Sequence, residues 1–62
     1  DVEKELLSIL AVHPMQLEAV ERYLNKAKAD WTLIDTLIHK NMLKEVKYSG
    51  QKFLVRNLKN DA

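Results

Sequence analysis

A chain of 62 residues without a cysteine allows one small domain at most, and it excludes disulfide staples and thiolate metal sites. Apolar residues make up 47% of it, too many for a disordered segment, yet no apolar run approaches the roughly 20 residues of a membrane span. The net charge of +1 names no partner, but residues 1–31 hold six acids against four bases (net −2) and residues 32–62 three acids against six bases (net +3), an asymmetry that fits an anion-facing C-terminal half.

Val2, Leu6, Ile9 and Leu10 recur at spacings of three and four, so residues 2–12 are expected to form a helix with one apolar stripe, widened by Leu7 and Val12. Pro14 ends that run, because proline lacks an N–H and disfavours helix in the residue before it. It also suits the first turn of a second helix, whose stripe is Leu17, Val20, Leu24 and Ala27 with Tyr23 alongside. Glu18 and Glu21 fall early in that helix and Lys26 and Lys28 late, an order that complements the helix dipole. A tight turn is expected near residues 25–29, since one helix from 15 to 41 would leave its apolar residues on no single face. Asp30 is then the N-cap of a third helix with Leu33, Ile34, Leu37 and Ile38 as its buried stripe.

Asn41 tolerates the left-handed conformation that ends a helix, and His39 and Lys40 sit in the last turn, where positive charge is favoured. From Met42 the period changes to two. A two-residue loop at Ser49-Gly50 sets Tyr48 against Gln51, Val46 against Phe53 and Lys44 against Val55. Val46, Phe53 and Val55 then share one apolar face. That face is expected to lie across the helices, because a lone hairpin is marginal in water and three short helices do not close a core by themselves. The polar residues after Leu58 are expected to fray. The expected fold class is α+β, one domain over residues 1–62 with its core at 2–58, a three-helix core followed by a β-hairpin. A chain that opens at Asp1 without a Met reads as a piece excised from a longer protein. No signal peptide is visible, and the lack of cysteine fits a reducing, intracellular compartment.

Three short helices followed by a hairpin resemble the winged helix-turn-helix superfamily, over residues 2 to 58. The stretch LIDTLIHKNMLKEVKYSGQKFLVR carries the resemblance most closely. It looks like the family's third helix, closing turn and wing, with the wing tip at Ser49-Gly50 and Asn41 where many members have glycine. The resemblance implies a small winged helix whose third helix enters the major groove of DNA while the wing follows the backbone or minor groove. The groove-facing positions would be Trp31, Thr32, Asp35, Thr36 and His39. With the bases that follow, the candidate nucleic-acid-binding residues are Thr32, Thr36, His39, Lys40, Lys44, Lys47, Lys52 and Arg56.

Residue chemistry supports the wing better than the helix. Base readout favours Arg, Lys, Asn and Gln, whereas Asp30 and Asp35 would repel phosphates, so the helix face also reads as plain solvated surface. Lys47 and Lys52 would face each other across the hairpin, and directly opposed like charges destabilise a sheet unless an anion sits between them. Lysines also guard edge strands, which is the plainer reading. Trp31 reads either as a residue closing the core between the second and third helices or as an anchor for a protein partner. Tyr48 reads either as a stacking surface for a base or as packing against Gln51.

Two functions are therefore carried forward. One is a nucleic-acid-binding module, DNA ahead of RNA, making mostly backbone contacts. The alternative is a protein-interaction module within a larger assembly, with Trp31 and Tyr48 as partner-binding residues. Catalysis is not expected. His13 and His39 are the two histidines, Gly50 is the sole glycine and precludes a Gly-rich phosphate loop, and Ser8 and Ser49 have no base beside them in sequence. No cofactor, metal or membrane partner is expected.

Overall fold

The structure, a computed structural model, describes residues 1–58; the fraying expected after Leu58 lies outside the described residues. Asp1 caps α1 (Val2–Val12) by accepting the Glu3 amide on Oδ1 at 3.2 Å, and Glu3 and Glu5 place negative charge in the first turn. Leu6, Leu7 and Leu10 are its buried residues. Val12 does not widen the stripe as expected; it is 70% exposed. The helical period accounts for this, since Val12 lies about 200° around the axis from Leu10.

His13 leaves α1 in an extended conformation, and Pro14 does not open the second helix. Instead Met15 and Gln16 form a short strand, β1 (Met15–Gln16), and α2 (Leu17–Lys26) starts after it. The physical reason is pairing with the chain's end: Met15 lies opposite Leu54 and Gln16 opposite Phe53. Strand pairing wins over one more helical turn there, and a two-residue strand is too short to show a period of two.

Val20 and Leu24 are buried in α2. Tyr23 ties this helix to the first, its hydroxyl donating to Glu5 Oε1 at 2.6 Å. Burial, then the Glu5 hydrogen bond and the Glu5 charge, push that hydroxyl up to about 12. The turn after α2 falls where it was expected. Lys28 takes a left-handed φ of 59°, and the Ala29 amide donates to the Leu24 carbonyl at 2.9 Å. Asp30 then caps α3 (Trp31–His39), its Oδ1 accepting the Thr32 amide at 2.9 Å. Asn41 closes α3 with φ 63°, while Met42 donates to the Leu37 carbonyl and Asn41 to that of Ile38, both at 2.9 Å. Both helices thus end in a paired closure around a left-handed residue that is not glycine.

The hairpin joins β2 (Leu43–Tyr48) to β3 (Gln51–Arg56). Ser49 at φ 52° and Gly50 at φ 78° are both positive, the signature of a type I′ turn. The register matches the expected one: Tyr48 with Gln51, Val46 with Phe53, Lys44 with Val55, and Lys47 with Lys52. The three strands form one antiparallel sheet in the order β1-β3-β2, giving a small α+β fold of three helices and a three-stranded sheet.

The core comprises Leu6, Leu7, Leu10, Val20, Leu24, Ile34, Leu37, Leu43 and Leu54. Helices α1 and α2 pack on β3, and α3 packs on β2. Here the structure corrects the sequence reading. Leu43 and Leu54 alternate with Val46, Phe53 and Val55, so the hairpin meets the helices with the other face. Val46, Phe53 and Val55 are only half-buried. Counting apolar residues favours their face, since the inner one also carries Glu45, Lys47, Lys52 and Arg56. The count misleads because the hairpin overhangs the helices. Leu43 and Leu54 lie toward its open end and are covered, whereas Lys47 and Lys52 near the tip are exposed and keep their hydration.

Candidate nucleic-acid interface

On α3, Thr32, Asp35, Thr36 and His39 recur at spacings of three and four, and all are exposed, so they share one outward face with Lys40 at its end. That face carries the Asp35 carboxylate at its centre. Trp31 begins the same helix but is half-buried and packs against the core. Asp30 is engaged as the cap.

The expected wing residues do not gather into one cluster. Lys47 and Lys52 are a directly opposed pair on the inner face near the tip, both exposed. Lys44 lies on the outer face opposite Val55. Arg56 lies opposite Leu43, half-buried, with its Nε enclosed and without a hydrogen-bond partner. It lies four positions along the strand from Lys52, roughly 13 Å away. The hairpin carries one acid, Glu45, against these four bases. The strand order leaves β2 as an edge, so Lys44 and Lys47 also sit where charges deter edge-to-edge pairing.

One surface was hidden from the sequence reading. Pro14, Val46, Tyr48 and Phe53 line an open groove of about 270 Å³ on the outer face of the sheet. Tyr48 is 73% exposed there. Beside it, Gln16 Nε2 donates to Gln51 Oε1. Assigning Val46 and Phe53 to the core concealed this groove. In the structure the pairing of Met15 with Leu54 brings a core-packed β1 residue alongside Leu54 and so marks the inner face, a signal that no local sequence pattern carries.

Among the described residues no helix is long and apolar enough to cross a membrane, and no group of three or more His, Cys, Asp or Glu side chains is placed to hold a metal ion. No family model matches the chain, and no solved structure matches it. It is similar to UPF0026 protein MJ1312 of Methanocaldococcus jannaschii, at 32% identity over 60 residues that make up 97% of this chain. The chain spans 19% of that relative's length.

Proposed function

We propose that this chain is a winged-helix module that binds nucleic acid, DNA ahead of RNA, by gripping phosphates at the wing rather than by reading bases, and that it binds without catalysing. The element order supports the winged-helix assignment, with three helices leading into a hairpin that ends in a tight Ser49-Gly50 turn. The observation that carries the binding reading is the exposed Lys47–Lys52 pair, held face to face across the strands. Cβ atoms of such a pair stand about 4.5–5.5 Å apart, so the two ammonium groups repel, and a phosphate between them relieves the repulsion. Contacts of this kind position a protein on nucleic acid without selecting a sequence.

Titrations of duplex DNA by fluorescence anisotropy at several salt concentrations test this. Two phosphate contacts contribute about −1.8 to the slope of log affinity against log salt. Replacing Lys47 and Lys52 together by Ala should remove that contribution and leave the thermal melt unchanged or slightly raised. An unchanged slope in the double variant, or no wild-type binding at about 20 mM salt where screening is weak, overturns the reading. The second reading, a protein-interaction module, is favoured by the Asp35 carboxylate on the exposed face of α3, and it takes over if DNA binding is absent.

A further inference from the structure

We infer that the outer face of the hairpin is a stacking platform for the unpaired bases of single-stranded nucleic acid, an inference that rests on the nucleic-acid reading above. Tyr48 and Phe53 are diagonal neighbours on that face, since Tyr48 pairs with Gln51 and Phe53 with Val46. Such neighbours lie about 7–8 Å apart, within reach of aromatic rings. Pro14 and Val46 complete an apolar floor, and no charged side chain lines the groove. The flat face of a base fits a surface of this kind, and base–aromatic stacking tolerates any sequence.

The surroundings of the groove select the occupant. Lys44 shares its face, and Lys47 and Lys52 flank the same strands from the inner side. The occupant must therefore offer flat apolar groups on an anionic backbone. A second copy docked through the same face would set Lys44 and its neighbours against their own counterparts. A single strand meets both demands, whereas the bases of a duplex are already stacked on one another. Proteins that bind single strands combine these two features, a basic track and aromatic platforms. The hydrogen-bonded amides of Gln16 and Gln51 border the platform with spare donors and acceptors for base edges.

The experiment compares an oligothymidylate with an abasic oligonucleotide of the same length and charge, by fluorescence anisotropy at low salt, for the whole chain. Wild type should bind the base-bearing strand at least about fivefold more tightly than the abasic one, the fold-change of the weakest single-base stack. Tyr48→Ala should remove most of that preference, and Tyr48→Phe should keep it. Because Tyr48 is 73% exposed, both variants should melt as wild type does. Equal affinity for the two strands overturns the platform and leaves the phosphate reading standing. A preference that survives Tyr48→Ala overturns it too, because the bases are then held elsewhere. Binding of neither strand overturns the platform, and absence of duplex binding at the same salt overturns the phosphate reading with it and leaves the face to a protein. Self-association that Tyr48→Ala abolishes, seen by sedimentation without oligonucleotide, assigns the groove to a second copy instead.

Discussion

The two faces of the hairpin come from the same two strands and meet opposite fates. On the inner face Leu43 and Leu54 are 1% and 0% exposed, although four charged side chains share that face with them. On the outer face Val46, Phe53 and Val55 stay half-buried and Tyr48 is 73% exposed, although that face is the more apolar by count. Contact decides between them. Leu54 sits on the central strand, flanked by β1 and β2, under two helices. The difference teaches that a strand's inward face is set where it meets its neighbours, while an overhanging tip can carry any pattern. What is left over on the outer face is an apolar surface free to meet something else.

The largest way to break this comparison is to truncate both faces. Leu54→Ala should cost about 2–5 kcal/mol, most of the stability of a chain for which roughly 3–9 kcal/mol is expected. Val46→Ala should cost less than about 1 kcal/mol, because its side chain is only partly removed from water. Urea melts of the two variants give both values; a larger loss in Val46→Ala would mean that the faces are reversed.

A smaller effect sharpens the comparison at the turn. A one-residue slip in register would send every hairpin side chain to the other face, so the turn that prevents slipping also determines which face is inward. Beyond its chain neighbours no atom lies within 4 Å of where a Cβ on Gly50 would stand, but its φ of 78° is one that side chains rarely adopt, so Gly50→Val meets no distant clash and suffers strain against its own backbone. That should cost about 1–2 kcal/mol and speed amide exchange over residues 46–53. Exchange as slow as in wild type would remove the tight turn from the explanation. Ser49→Asn, at φ 52°, should be neutral or slightly stabilising in the same measurement, since asparagine suits that conformation better.

Much of the fold was legible because its signals are local. The apolar spacing of Leu6 and Leu10, the Asp30 cap, the left-handed Asn41 and the Ser49-Gly50 turn each act within a few residues. The turn alone brings Lys47 opposite Lys52, so the core of the candidate site was legible too. What was missed depends on distant chain. Strand β1 exists because Met15 and Gln16 find Leu54 and Phe53, and no local pattern encodes that pairing. The half-buried position of Arg56 at the base of the hairpin, and the groove around Tyr48, follow from which face turned inward and were hidden for the same reason.

Solvent access to the methyl groups on each face tests the central claim most directly. A soluble paramagnetic agent, added to the methyl-labelled protein, should broaden the signals of Val46 and Val55 and the ring protons of Tyr48, while the methyls of Leu43 and Leu54 stay sharp. Broadened Leu54 methyls beside protected Val46 and Val55 would contradict the assignment of the faces, and with it the platform.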